Sequence, residues 1–204
     1  MKLYFRPFAC SLAARIALIE GEIDAEFVRV EPGRALPDGR LFTAVSPMGY
    51  VPAIETPAGF VLSEGPAVLS YIAGLAPAGV LAPPAYTDAH YRVLAWLNFV
   101  STELHKGVFA PLMGKAAGPD ERAAARARAG KVFARLSQHL EREDFLEGGF
   151  SVADAYLLAV LNWVEHAGLA ITDWPVLRAY RGRLRARPSI AAAMAEEYPL
   201  LEAA

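Results

Sequence analysis

Cys10 is the only thiol in the chain. It stands just before the apolar helical pattern that begins at Leu12, so it falls at or directly before a helix N-terminus. The positive end of a helix dipole lowers a thiol pKa and favours the nucleophilic thiolate, and Arg6 and Arg15 would add to this effect. A lone cysteine is more often a small buried apolar residue. Position alone leaves both interpretations open.

A second chemical feature is the helix that follows a predicted hairpin. Two short β-type runs, Ala53–Glu55 and Phe60–Leu62, are separated by a connection that contains Pro and Gly. Ser63 or Glu64 can cap the helix that follows, and Pro66 suits its first turn. A helix N-terminus seats a carboxylate, and the carboxylate of Glu64 can hold a cation. The stretch therefore predicts a site for an α-amino acid, or simply an ordinary capped helix.

His105 is the third candidate. It shares one face of a predicted long helix with Asn98 and Thr102. An imidazole can move protons near neutral pH or donate to a thiolate. The alternative is a surface histidine on a solvated polar stripe. The three other histidines have no comparable context and are read as structural: His90, His139 and His166.

The elements that must position these residues fall into two halves. The first half has the order β-α-β-β-α, which predicts a small mixed sheet with helices on its faces. Its strands are Lys2–Phe5, Glu26–Val30 and the hairpin above, and its first helix runs from Leu12 to about Gly21. Pro52 directly precedes the third strand. A cis bond before it has a low prior, since about 5–6% of X-Pro bonds are cis.

The second half is predicted to be all-helical. Residues 77–86 are rich in proline and form a linker, so we divide the chain into residues 1–76, 77–86 and 87–204. Ser151 and Asp154 form a capping box before a helix that is apolar all round, and both are assigned to folding. About five helices are expected: from Thr87 to Met113, from Pro119 to Arg142 with arginines on a solvated face, from Val152, from Thr172 to about Arg187, and from Ile190, capped by Ser189, to Glu197.

Composition excludes several classes of protein. Hydrophobic residues make up 54% of the 204 residues, which argues against disorder. A net charge of −2 gives no electrostatic reason to expect binding to nucleic acid. No stretch approaches the roughly 20 apolar residues of a membrane span, and the N-terminus lacks the apolar run of a signal peptide. One cysteine fits a reducing compartment. We expect a cytoplasmic protein that binds neither nucleic acid nor membrane.

Four motifs carry a resemblance to a known family. They are SPMGYVPAI at 46–54, LSEGPAV at 62–68, PFACSL at 7–12 and TELHK at 102–106. Together they resemble the glutathione S-transferases, and the bacterial, cysteine-containing beta class in particular. The resemblance implies a thioredoxin-like glutathione-binding domain at 1–76 and an all-helical domain at 87–204. It also implies glutathione as co-substrate, no metal, and a homodimer.

The resemblance also implies roles for individual residues. Cys10 contacts the glutathione sulfur, and His105 points at it from the second domain. Pro52 is cis, and Val51 binds the cysteinyl backbone of glutathione. Glu64 meets the γ-glutamyl ammonium and the Gly65 N–H meets its carboxylate. The remaining binding candidates are Arg34 for the glycine carboxylate, with Arg40 as its substitute, and Asn98, Glu103 and Lys106 on the long helix, from the same or the neighbouring subunit.

Three departures from the family pattern are visible. Phe5 stands where many members have Tyr, Phe8 replaces a common Gly, and Gly65 replaces a common Ser.

The main hypothesis is a transferase that conjugates glutathione to small hydrophobic electrophiles in a pocket lined by residues such as Phe8, Phe109 and Met113. The alternatives are a thiol–disulfide reductase that uses Cys10, and a non-catalytic binding protein on the same fold.

Overall fold

The computed structural model describes residues 1–202, which begin with a four-stranded mixed sheet in the order β2-β1-β3-β4. Strand β1 pairs in parallel with β2 and antiparallel with β3, and β3 pairs antiparallel with β4. The predicted β-α-β-β-α order is confirmed. The elements are β1 (Lys2–Phe5), α1 (Leu12–Glu20), β2 (Glu26–Arg29), β3 (Ala53–Glu55), β4 (Val61–Ser63) and α2 (Gly65–Leu75).

The two faces of the sheet are covered differently. Side chains alternate along a strand, so Leu3 and Ile54, which are paired in register, point to the face covered by α1 and α2. Tyr4 and Val28 point the other way and pack against apolar residues of the irregular segment 31–45, such as Phe42. That segment therefore covers the second face, although its regular structure is limited to a β-bridge between Ala35 and Leu41 and the short 3₁₀ turn Phe42–Ala44.

The second half is helical, as predicted. The helix predicted from Thr87 to Met113 has the expected extent, but its middle, Val100–Phe109, is wound as a π-helix. Apolar spacing cannot distinguish this winding from an α-helix over so short a span. The elements are α3 (Asp88–Phe99), the π-helical segment, α4 (Ala110–Met113), α5 (Pro119–Leu140), α6 (Val152–Leu161), α7 (Pro175–Arg185, after a 3₁₀ turn at Ile171–Asp173) and α8 (Pro188–Glu202).

Helix α6 lies at the centre of this half, and every residue from Val152 to Leu161 is buried. Its capping box forms as predicted, with Asp154 accepting from the Ser151 N–H at 2.9 Å. Asp154 also accepts from the Leu146 N–H at 2.9 Å and from the Tyr180 hydroxyl at 2.6 Å. Such full pairing offsets the cost of burying a carboxylate. Helix α1 packs against α6 and α8, so the two halves share one hydrophobic core.

Three local predictions were wrong. Neither Ser63 nor Glu64 caps α2 with its side chain, because Glu64 takes a left-handed conformation with φ 71°. Helix α8 begins at Pro188, so Ser189 lies in its first turn, and the helix continues past Glu197 to Glu202.

The third concerns Arg122, which is half-buried instead of solvated. Its guanidinium donates to the carbonyls of Leu112, Ala117 and Gly114, and so ties the loop before α5 to that helix. Across residues 1–202, no helix has the length and apolar character that a membrane crossing requires.

Candidate functional site

Cys10 lies in the loop between β1 and α1 and faces the hairpin. Its Sγ donates to the Val51 carbonyl at 3.1 Å, next to the cis Val51–Pro52 bond. Burial raises the pKa of the Cys10 thiol to about 11, although the charge of Lys106 and backbone N–H groups act in the opposite direction. The expected lowering of its pKa is therefore wrong, because burial outweighs the helix N-terminus. Arg15 does not help, since it pairs with Glu196 and Glu197.

His105 lies in the π-helical segment, where its Nδ1 is 2.8 Å from the Tyr156 hydroxyl. Its ring meets the Trp163 ring edge-on at 5.0 Å. Burial, and then the charge of Lys106, lower the pKa of His105 to about 4. The imidazole is therefore neutral at neutral pH. If Nδ1 accepts a hydrogen bond from the Tyr156 hydroxyl, the single ring proton of the neutral His105 sits on Nε2 and is available to donate.

Tyr156 was not predicted as a site residue. It is 2% exposed on α6, and a Cβ added at Gly65 would lie 3.6 Å from its hydroxyl. Burial raises its pKa above the usual 10, and negative charge at Cys10 raises it further, so the hydroxyl stays protonated. The capping box locates the start of α6 in the sequence. An all-apolar helix gives no sign of which residue faces the site.

The remaining members of this cluster surround the thiol. Glu64 and Lys106 both lie near enough to Cys10 for their charges to act on its pKa in opposite directions. Lys106 sits 5.2 Å above the ring of Tyr50. The structure thus brings together most of the predicted site residues: Cys10, Val51, Pro52, Glu64, Gly65, His105 and Lys106.

Other predicted binding residues make contacts elsewhere. The Arg34 guanidinium bonds Glu31 at 2.6 Å in an exposed loop. Its substitute, Arg40, is held by Asp38 and Glu55 at the outer side of the sheet. Two candidates on the long helix bond neighbours in the second half: Asn98 the carbonyl of Leu94, and Glu103 the guanidinium of Arg128.

A cavity of about 660 Å³ opens beside Cys10 and His105. Phe8, Phe109 and Met113, the three residues expected there, all line it. Others had not been predicted: Trp163 after α6, and Met194, Tyr198 and Leu201 on α8. Tyr198 and Leu201 were missed because α8 was predicted to end at Glu197. In the described part of the chain, no cluster of His, Cys, Asp and Glu has the makeup of a metal site.

Comparison with known proteins gives matches in both halves and over the full length. The model of the glutathione S-transferase N-terminal domain matches residues 9–75, and that of the C-terminal domain matches residues 100–188. Glutathione S-transferase GstA of Escherichia coli O157:H7 is 35% identical over 199 residues, which are 97% of this chain and 98% of that protein.

Solved structures of glutathione S-transferases are also similar to this chain over nearly its full length. A sphingomonad glutathione S-transferase complexed with glutathione has a TM-score of 0.91 and 40% identity, covering 97% of this chain and 98% of that one. The bacterial beta-class enzyme of Sphingomonas chungbukensis has a TM-score of 0.90 and 38% identity, with the same coverage of 97% and 98%.

A four-stranded mixed sheet with a cis-proline hairpin, followed by a helical second half, is the glutathione transferase fold predicted from the motifs. Because both domain models match and a full-length relative is 35% identical, the chain belongs to the glutathione S-transferase family. Its resemblance to the bacterial beta class is confirmed.

Proposed function

We propose that this protein is a glutathione transferase that joins the sulfur of glutathione to small hydrophobic electrophiles. The observation that carries the proposal is the position of Cys10, His105 and Tyr156 between the cis-proline hairpin and an apolar cavity. One co-reactant can bind along the hairpin while the other enters the cavity. The named relatives and the glutathione complex of a similar structure support glutathione as the co-substrate.

Glutathione would bind through groups on the hairpin and the start of α2. The Val51 backbone pairs with the cysteinyl unit, Glu64 with the γ-glutamyl ammonium, and the Gly65 N–H with its carboxylate. Lys106 adds positive charge near the sulfur. Arg34, Asn98 and Glu103 remain predicted contacts, of which the last two would act at a neighbouring subunit's site.

In the reaction, bound glutathione loses its thiol proton to solvent. His105 donates through Nε2–H to the resulting thiolate. The neutral Cys10 thiol leaves the Val51 carbonyl, which the cysteinyl N–H of glutathione takes over, and also donates to the thiolate. Both hydrogen bonds lower the pKa of the glutathione thiol. Each unit of that lowering corresponds to about 1.4 kcal/mol of preferential stabilisation. The thiolate then attacks an electrophilic carbon in the cavity, a C–S bond forms, and the leaving group departs with the bonding electron pair.

The raised pKa of Cys10 bears on the redox alternative. A thiol–disulfide reductase needs Cys10 as an attacking thiolate, and burial holds this thiol protonated. A protonated thiol is suited to donate a hydrogen bond to the glutathione sulfur. The electrostatics of the site therefore favour conjugation over exchange.

We also place the domain boundary in residues 77–86, between α2 and α3, and propose a homodimer in the cytoplasm. The segment between Leu75 and Asp88 has no helix or strand. The single half-buried cysteine is compatible with a reducing compartment.

The test compares wild type with Cys10→Ala and Cys10→Ser. Each is assayed for conjugation of glutathione to an aryl halide, and its intact mass is recorded after incubation with oxidised glutathione. We expect conjugation by wild type, retained in large part by Cys10→Ser, and no persistent adduct. Negligible conjugation with a one-glutathione adduct that turns over would support the reductase. Neither activity, with no glutathione binding by calorimetry, would support the binding protein.

A further inference from the structure

Phe8, two residues before Cys10, has an unusual backbone conformation. Its φ is 53°, in the left-handed region that bulky residues seldom adopt. Such a conformation is strained and persists only where surrounding contacts impose it. The contacts that impose it here come from the other half of the molecule.

Side chains of the second half hold both backbone polar groups of Phe8. Its N–H donates to Glu197 Oε2 on α8 at 2.7 Å. Its carbonyl accepts from the Trp163 indole N–H at 2.7 Å. Its ring also meets the Tyr198 ring edge-on at 5.3 Å. The loop that carries Cys10 is thus attached to the second half at three points.

Glu197 is unusual for a charged residue because it is 0% exposed. Its second oxygen lies 3.1 Å from Arg15 Nε, an ion pair without hydrogen-bond geometry. Arg15 is itself fixed between the rings of Phe5 and Phe27, at 4.2 and 4.0 Å, and pairs with the exposed Glu196. Burying a carboxylate is costly, and the groups that offset this cost are the Phe8 N–H and Arg15.

We propose that Glu197 and Trp163 are positioning residues that hold the Phe8 backbone, and through it set the place of Cys10 and the wall of the electrophile cavity. This inference rests on the proposed function. Phe8 and Cys10 both line the cavity, whereas the glutathione contacts proposed above lie mainly along the hairpin and at the start of α2. Loss of the attachment should therefore impair use of the electrophile and leave glutathione binding almost intact.

The test uses four variants of the full chain. Glu197→Leu removes the acceptor of the Phe8 N–H, Glu197→Gln keeps an acceptor oxygen, and Trp163→Phe removes the indole donor but keeps a ring. Glu196→Gln is the matched control, since its carboxylate pairs with the same Arg15 without touching Phe8. Kinetics with an aryl halide, calorimetry with glutathione, and thermal melting are measured for each.

We expect Glu197→Leu to raise KM for the aryl halide about tenfold and to lower kcat, as misplacement of reacting groups does. Its glutathione Kd should stay within about twofold of the wild-type value, because Glu197 is not among the proposed glutathione contacts. Glu197→Gln should recover most of the loss, Trp163→Phe should change the same parameters in the same direction, and Glu196→Gln should match wild type. Because Trp163 also lines the cavity, its aryl-halide KM does not by itself test positioning, and if Glu197→Leu fails to fold, the rate at which iodoacetamide alkylates Cys10 in Trp163→Phe decides.

The proposal is overturned if the variants weaken glutathione binding as much as electrophile use, or if only melting temperatures change. A further readout separates it from failure of the proposed function. The rate of Cys10 alkylation by iodoacetamide needs no conjugation activity, and should rise in Glu197→Leu and Trp163→Phe but not in Glu196→Gln. If wild type fails to conjugate, an increased alkylation rate still supports the positioning role, and an unchanged rate refutes it.

Discussion

The two sides of the site are built in different ways. The glutathione side is formed by one continuous stretch, from Val51 to Gly65, and offers mainly backbone groups in special conformations, such as the cis Val51–Pro52 bond. The cavity side is assembled from side chains of the Phe8 loop, the π-helical segment, the end of α6, and α8. Local sequence can specify the first arrangement. The second depends on segments that meet only in the packed molecule.

This difference predicts which changes matter on each side. Substitution of a residue leaves its backbone groups in place, so on the glutathione side a large loss of binding is expected only at Glu64, which acts through its side chain. On the cavity side, Tyr156 lies on α6, Trp163 follows directly after it, and His105 packs against both. The positions of these three side chains therefore depend on how α6 packs in the core.

The cavity side should depend on the capping box of α6. Asp154→Ala leaves the Ser151 and Leu146 N–H groups and the Tyr180 hydroxyl without their buried acceptor. We expect the free energy of unfolding to fall by about 3 kcal/mol or more, since each unpaired buried group costs about 1–3 kcal/mol. Urea denaturation measures this, with the exposed Asp144→Ala as control. A loss below about 1 kcal/mol would contradict the assigned structural role.

On the glutathione side, Glu64→Gln should weaken glutathione binding about 10- to 100-fold, because a charge-assisted hydrogen bond is worth about 1.5–3 kcal/mol. KM for the aryl halide should not change. Calorimetry and steady-state kinetics measure the two effects, and Glu26→Gln, an exposed carboxylate on β2, is the control. If Glu64→Gln weakened glutathione binding and raised KM for the aryl halide by the same factor, the two sides of the site would not be functionally distinct.

Tyr156→Phe tests the contact between the two sides. It keeps the ring and removes the hydroxyl that faces His105 Nδ1 and Gly65. We expect kcat to fall about tenfold, which matches a rise of about one unit in the thiol pKa of bound glutathione. Ultraviolet titration of the bound thiolate measures that pKa directly. Tyr91→Phe, at an exposed tyrosine, serves as control. An unchanged thiol pKa would exclude Tyr156 from the chemistry.

The pH dependence of stability should show the burial of His105. Its folded pKa of about 4 lies below the unfolded value of 6.5, so its neutral form is favoured by folding. The stabilisation is complete above pH 6.5 and is lost as pH falls from there towards 4, at no more than about 1.4 kcal/mol per pH unit. Denaturation of wild type and His105→Gln at pH 7 and pH 5 should show a steeper loss in wild type. Parallel curves would place the imidazole in solvent.

The smallest effect is expected at Gly65. A Cβ there would meet Tyr156 no closer than 3.6 Å, an ordinary contact, so Gly65→Ser fits without rearrangement. The added hydroxyl can donate to the glutathione carboxylate, which the Gly65 N–H already meets, so the net gain should lie at the low end for a hydrogen bond and lower the glutathione Kd about threefold. Gly65→Ala should leave the Kd unchanged. Weaker binding by both variants would show that the Tyr156 contact is too close for a side chain.

The sequence by itself determined most of the elements, including the hairpin on which the glutathione side is built. Turn residues predicted the hairpin, Pro66 the first turn of α2, and Ser151 with Asp154 the start of α6. These features depend on hydrogen bonds and dihedral preferences within a few residues, so they are visible in local spacing. The residue-level roles taken from the family motifs remain predictions, although the structure brings most of those residues into one cluster.

Apart from Phe8, Phe109 and Met113, which were expected to line the cavity, only the tertiary structure decided the cavity side. Cys10 has a raised pKa, and His105 a lowered one, because desolvation depends on what packs around a group and outweighs its local helix position. The pairing of His105 with Tyr156 and the attachment of Phe8 to Glu197 join residues 51 and 189 positions apart. Hydrophobic periodicity gives no information about contacts between residues so far apart in the sequence, because these contacts form only when separate helices pack against the shared core.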